Sequence, residues 1–70
     1  MAQILSTVSG TIIEVLVAPG ALVSVDEEVV LIESMKMEIP VAAEAQGRVR
    51  EIRIGPGDPV VEGQVLIDLD

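Results

Sequence analysis

The chain repeats itself. Gly10 to Glu33 reads against Gly47 to Asp70 without a gap, at a constant offset of 37 residues. Gly10 matches Gly47, Glu14 matches Glu51, Pro19-Gly20 matches Pro56-Gly57, and Val23 matches Val60. The apolar positions follow in register: Ile12 with Val49, Val15 with Ile52, Val17 with Ile54, Val30 with Ile67, Ile32 with Leu69. The closing acids Glu33 and Asp70 correspond as well. Such a duplication constrains the fold strongly. Whatever one half forms the other must form too, and neither half is large enough to bury its own apolar face.

Each copy reads as short strands. Val15 and Val17, like Ile52 and Ile54, have the period-two spacing of a strand with one buried face. Ile12 and Val49 fall on the opposite phase, which predicts a bend or bulge just after each glycine. Pro19-Gly20 and Gly55-Pro56-Gly57 are turn signals. Val23 and Val60 open a short strand after these turns, and a further strand runs through Val29 to Glu33 or Val65 to Leu69. Helical periodicity is absent; Ala42 to Gln46 is the nearest candidate, and it is too short between Pro40 and Gly47. The expectation is one all-β domain over residues 1–70, a small sandwich or flattened barrel with pseudo-two-fold symmetry. Its halves are 10–33 and 47–70.

Half of the 70 residues are apolar, yet none is Phe, Tyr or Trp, so the core must come from Val, Ile, Leu, Ala and Met. Ordering a chain of this size costs on the order of 100 kcal/mol of conformational entropy, so nearly every apolar group must be recruited. The absence of cysteine rules out a disulfide framework and fits a reducing compartment. A net charge of −8 repels nucleic acid and anionic membrane surfaces. No apolar run reaches the length of a membrane span, and the N-terminus lacks the basic and apolar regions of a signal peptide. A cytoplasmic, monomeric domain is expected.

One segment joins the halves, and it contains the only lysine of the chain: Glu33-Ser34-Met35-Lys36-Met37-Glu38. An acidic protein ordinarily spreads several lysines over its surface. A single amine with an apolar side chain on each side suits a partner that must find and acylate one residue. Strand-like sequence runs to Glu33 and resumes over Met37 to Val41, leaving about two residues for a hairpin at 34–37. Met35-Lys36 is poor chemistry for a short turn, and poor turn chemistry often marks a functional site. The plain alternative is an exposed loop lysine beside core-filling methionines. It explains the position but not the composition.

At this point a family resemblance enters. The run Glu33-Ser34-Met35-Lys36-Met37-Glu38 resembles the E-A-M-K-M attachment motif of the biotinyl domains of biotin-dependent carboxylases. The likeness extends from Ser9-Gly10 to the final strand, through Gly47, Val49, Ile52, Ile54, Gly57-Asp58, Val60 and Glu62-Gly63-Gln64. It departs at Ser34, where alanine is usual, at Ala21 and Asp26, where Asp and Gly are common, and in lacking a Pro-Met before Gly10. The resemblance implies a barrel-sandwich hybrid of two four-stranded antiparallel sheets, with Lys36 at a hairpin tip carrying covalent biotin. Glu33, Ser34, Met35 and Met37 would form the recognition context, the methionines as adaptable apolar contacts.

An ordinary lysine is protonated in neutral water and is not a nucleophile. With no histidine in the chain, the chemistry must come from partners. The resemblance implies three: a biotin protein ligase that transfers biotin from its adenylate, a biotin carboxylase using ATP and bicarbonate, and a carboxyltransferase acting on an acceptor, commonly an acyl-CoA. Acetyl-CoA, propionyl-CoA, methylcrotonyl-CoA, pyruvate and urea systems use similar carriers, so the acceptor stays open. The chain looks like a stand-alone minimal carrier or the terminal domain of a larger carboxylase, not an enzyme itself. Two rival readings are a lipoyl carrier of a 2-oxo acid dehydrogenase complex and an unmodified docking module. Lipoyl domains usually have Asp before the lysine, which favours biotin here. The remaining polar groups read plainly. Asp26-Glu27-Glu28 is a solvated turn and no metal site; Arg48, Arg50 and Arg53 pair with surface acids; Ser6, Ser9 and Ser24 have no base to activate them.

Overall fold

Strands form in both repeats, but those through Val15 and Ile52 end at these residues, so Val17 and Ile54 lie just outside them, half-buried against the core. The computed structural model describes residues 2–70, and no helix occurs among them. The strands are β1 (Ala2–Leu5), β2 (Gly10–Val15), β3 (Leu22–Val23), β4 (Glu28–Ser34), β5 (Met37–Ala42), β6 (Gly47–Ile52), β7 (Pro59–Val60) and β8 (Val65–Leu69). They build two four-stranded sheets, β1-β8-β6-β3 and β5-β4-β2-β7, with every pairing antiparallel. The expected bulges are present: register shifts between Ile12 and Glu14 on β2 and between Val49 and Glu51 on β6. Each lets the strand change phase, so that Ile12 and Val49 point inward along with the half-buried Val15 and Ile52.

The two-fold relation runs further than Gly10. β1 is the counterpart of β5: Ala2 pairs with Leu69 as Ile39 pairs with Ile32, and Ile4 with Ile67 as Val41 with Val30. Loop hydrogen bonds double in the same way. Gly20 N–H donates to the Val49 carbonyl and Gly57 N–H to that of Ile12, both at 2.8 Å. Asp26 N–H donates to the Ala43 carbonyl at 2.7 Å, and its counterpart Gly63 N–H to that of Ser6 at 2.8 Å. Gly63 sits at φ +87° and Asp26 at φ +72°. The aspartate thus holds a left-handed position that glycine holds in the other half, and Asp is among the few side chains that tolerate it.

The core is aliphatic and lies between the sheets. Val29, Val30, Ile32, Leu66 and Ile67 have no exposed surface, and Ile4, Ile12, Val23, Val41, Ala43, Val49, Val60 and Leu69 complete it. Two polar side chains are buried. Ser6 donates its hydroxyl to the Val8 carbonyl, and Asp68 accepts from Arg53 Nε at 2.6 Å and Gln3 Nε2 at 3.1 Å. Of the three arginines expected to pair with surface acids, only Arg53 forms an ion pair among the described residues, and its acid is buried. These hydrogen bonds, first that from Arg53 and then that from Gln3, hold the Asp68 carboxyl below its usual range. A carboxylate depressed in the folded state adds stability above its unfolded pKa and loses it as pH falls through the lower, folded value. Acid titration of Asp68→Asn, followed by far-ultraviolet circular dichroism, is therefore expected to give a flatter stability loss below the normal carboxylate range than the parent. Identical acid limbs would remove Asp68 from the account.

The direction of the strands fixes where the ends of the molecule lie. Gly10, at the start of β2, lies against Glu33, at the end of β4. The Glu62 N–H, just before β8, donates to Ser9 Oγ at 3.1 Å. β8 therefore starts at the end of the molecule where β4 finishes, and runs away from it. Leu69 and its partner Ala2 reach the far end of a body 31 × 19 × 18 Å in extent.

Candidate functional site

β4 and β5 are consecutive and paired without interruption from Val30–Val41 to Ser34–Met37. Only Met35 and Lys36 remain to turn the chain. Both adopt positive φ, 53° and 65°, which is the backbone of the tight two-residue hairpin turn whose twist matches flanking strands. Left-handed backbone costs a side-chain-bearing residue about 1–2 kcal/mol. The mismatch expected from the sequence is therefore present at two successive residues. Neither Met nor Lys is suited to it, and neither is excused by a local side-chain hydrogen bond.

The turn stands clear of the body. Met35 is 92% exposed and Met37 62%, and Lys36 is exposed between them. Among the described residues Lys36 forms no ion pair. The methionines are thus not core fillers. Ser34 is half-buried at the base of the hairpin. Glu33 and Glu38 lie directly across the ladder from each other, both exposed. Facing like charges are destabilising, so this pair too is not placed there for stability.

The hairpin is held rigidly from one side. The Cβ of an alanine at Gly10 would lie inside van der Waals contact of the Glu33 carbonyl oxygen and 2.8 Å from Ile32 Cγ2. Only a glycine lets β2 press this closely on β4. The loop after β7, with exposed Val61 and Glu62, is tied to the same region through Ser9 Oγ. Sequence reasoning dismissed Ser9 as a nucleophile and missed this link, because nothing local connects it with a residue 53 positions away. Glu27 also holds its own turn together, since its carboxylate accepts the Ser24 N–H at 3.0 Å. Among the described residues no cluster of His, Cys, Asp or Glu could hold a metal ion.

A flattened pair of four-stranded sheets thus offers the Lys36 amine, exposed, on a strained hairpin. Such a presentation suits a carrier, a domain that holds a covalently attached group out to other active sites. Comparison with known proteins agrees. The family described as "Biotin-requiring enzyme" matches residues 1–69, and the chain belongs to this biotin and lipoyl attachment family. It is 43% identical over 61 residues to the biotin/lipoyl attachment protein of Bacillus subtilis, covering 87% of this chain and 84% of that one. It is 37% identical to part of the mitochondrial propionyl-CoA carboxylase alpha chain of Sus scrofa, covering 93% of this chain but only 9% of that protein. Among solved structures, Kluyveromyces lactis urea carboxylase superposes with a TM-score of 0.91 at 29% identity, over 99% of this chain and 6% of the enzyme. The lipoyl domain of the 2-oxoglutarate dehydrogenase complex from Azotobacter vinelandii superposes with a TM-score of 0.72 at 39% identity, over 89% of this chain and 78% of that domain.

Proposed function

We propose that Lys36 is the attachment point of covalent biotin, and that the domain carries a carboxyl group between a biotin carboxylase and a carboxyltransferase acting on an acyl-CoA. The observation that carries this reading is the sole lysine of the chain at the apex of a strained turn, with an exposed methionine on each side. Biotin, when bound, supplies the ring nitrogen on which the carboxyl group travels. Everything else is the work of this chain's residues.

Among the described residues the exposed Lys36 side chain has no ion-pair or hydrogen-bond partner to shed, so a biotin protein ligase can take its Nζ into a pocket at little cost. On acylation Nζ loses its proton and its charge, and the hairpin tip becomes neutral between two apolar side chains. Met35 and Met37 give the ligase adaptable contact area without demanding a fixed shape. Ser34 is small enough to leave clearance at the base of the turn. Glu33 and Glu38 set a negative field behind the lysine that favours a basic enzyme surface. The rigid sheet beneath keeps the attachment point fixed while the linked chain swings, which raises the effective concentration of the carried group at each active site.

The acyl-CoA acceptor rests on the propionyl-CoA carboxylase relatives. A lipoyl carrier remains the second reading because a lipoyl domain shares this fold and much of the sequence. The pair of methionines and the carboxylase relatives favour biotin. A cytoplasmic setting accords with a chain free of cysteine.

The test is the intact mass of the protein after co-expression with biotin and lipoate ligases, beside Lys36→Ala. One biotinyl addition, missing in the variant, is the expected result. A lipoyl addition, or an unmodified chain while a control carrier is biotinylated in parallel, would sink the proposal.

A further inference from the structure

The oxidisable side chains of this protein are gathered in one place. Oxidation of a folded chain falls above all on sulfur, as thiol or thioether. There is no cysteine here, and no histidine, tryptophan or tyrosine either; the only sulfur atoms are those of Met1, Met35 and Met37. The two that lie among the described residues flank Lys36, and neither is in the core. The buried apolar set is built from isoleucine, valine, leucine and alanine alone. Methionine is the adaptable gap-filler of ordinary cores, so its confinement to the hairpin is a second peculiarity of composition beside the single lysine.

The geometry opens both sulfurs to reagents in water. Met35 is almost fully exposed at the first turn position, and Met37 is mostly exposed where β5 begins, opposite Ser34. The exposed Glu33 and Glu38 face each other just behind them, and the chain carries a net charge of −8. Such a surface repels an anionic oxidant but not neutral hydrogen peroxide. At either residue the thioether sulfur attacks one peroxide oxygen, the O–O bond breaks, an S–O bond forms, and water leaves. Sulfur is oxidised by two electrons and the peroxide is reduced. The resulting sulfoxide is polar and chiral, and reductases return it to the thioether. In a core that change would disrupt packing. Here the fold keeps its stability while the surface beside Lys36 turns from apolar to polar.

We propose that Met35 and Met37 form a reversible peroxide-modification site, and that their sulfoxides block acylation of Lys36. This regulation rests on the attachment at Lys36 proposed above. A ligase that takes Nζ into its pocket must also cover the neighbours of the lysine. Covering two apolar side chains favours the complex, whereas covering two sulfoxides demands their desolvation. Biotin entry then closes under oxidising conditions and reopens on reduction, with the domain itself intact.

The experiment treats the purified, unmodified chain with hydrogen peroxide, removes the reagent with catalase, and then assays transfer by biotin protein ligase with ATP and biotin. Cleavage after glutamate frees residues 34–38, which contain both methionines without Met1, and this peptide should gain the mass of two oxygen atoms. The melting midpoint should stay within about 4 °C of the untreated chain. Ligase kcat/KM should fall at least about tenfold, and should recover after treatment with the two methionine sulfoxide reductases, one for each epimer. The variant M35L/M37L keeps apolar side chains without sulfur, and peroxide should leave its kcat/KM unchanged. It retains Met1, so a loss of rate in this variant would trace elsewhere and overturn the proposal. If the variant is a poor ligase substrate from the outset, loss and recovery in the parent carry the test. Transfer to the doubly oxidised chain at the parent rate also overturns it, as does a loss that the reductases do not reverse. Failure of the untreated chain to take biotin, while a control carrier does, sinks the attachment reading itself. Equal transfer to treated and untreated chains sinks only the oxidation site.

Discussion

A chain with Asn-Gly in place of Met35-Lys36 should melt at a higher temperature than the parent and accept no biotin at all. The hairpin places both residues at positive φ, where Asn and Gly are the favoured pair and Met and Lys each bear a steric cost. Relief of that cost is expected to stabilise the domain by about 1–2 kcal/mol, less than the summed penalty of two residues because Asn keeps part of its own. For a domain of this size each kcal/mol moves the melting temperature by roughly 4–8 °C. Far-ultraviolet circular dichroism is the natural readout, since the chain has no aromatic side chain for fluorescence. Met35→Asn alone, which keeps the lysine, should recover part of the gain. A double variant less stable than the parent would mean that the turn holds no strain. On the proposed attachment at Lys36, stability and modification trade against each other at one turn, because the residues that would suit the backbone are not Met and Lys.

Gly10→Ala is expected to be the most damaging single methyl group that can be added to the chain's glycines. Its Cβ meets a carbonyl oxygen and the Ile32 side chain, neither of which can retreat without moving β4. Overpacking of this kind costs about 3 kcal/mol at the upper end of its usual range. Domains hold roughly 0.05–0.15 kcal/mol of stability per residue, so such a loss is a large share of the whole. The symmetry supplies an internal control. At the counterpart Gly47 a Cβ would be 3.2 Å from the Asp70 carbonyl oxygen and 3.4 Å from Leu69 Cβ, a tight fit that a shift of a few tenths of an ångström relieves. Gly47→Ala should cost no more than about 1 kcal/mol. Urea unfolding of the two variants side by side tests the pair; equal losses would contradict the clash at Gly10.

The fold was legible wherever the duplication left matching residues. Gly10 and Gly47, the two Pro-Gly turns and the period-two valines and isoleucines mark six of the eight strands and both bulges. β5 was legible from the hairpin spacing. β1 was not, because Ala-Gln-Ile-Leu shares only backbone pairing with its counterpart Ile-Pro-Val-Ala. Lys36 stood out by being alone, and its two-residue turn by the strands on either side. The burial of Asp68 was invisible for a physical reason. An acid on an outward position reads as solvated, and only the approach of Arg53 and Gln3 from neighbouring strands encloses it. The tie between Ser9 and Glu62 was hidden by the same lack of any local trace.

The pairing of Ala2 with Leu69, at the pole away from Lys36, makes the domain a bead that can be strung by one end or by both. Polypeptide leaving from either end departs at the pole opposite the hairpin. Segments joined at that pole can be lengthened, shortened or stiffened without disturbing the hairpin. Equally, a short peptide linking β8 to β1 would give the domain two opposite hairpins, only one of them bearing a lysine.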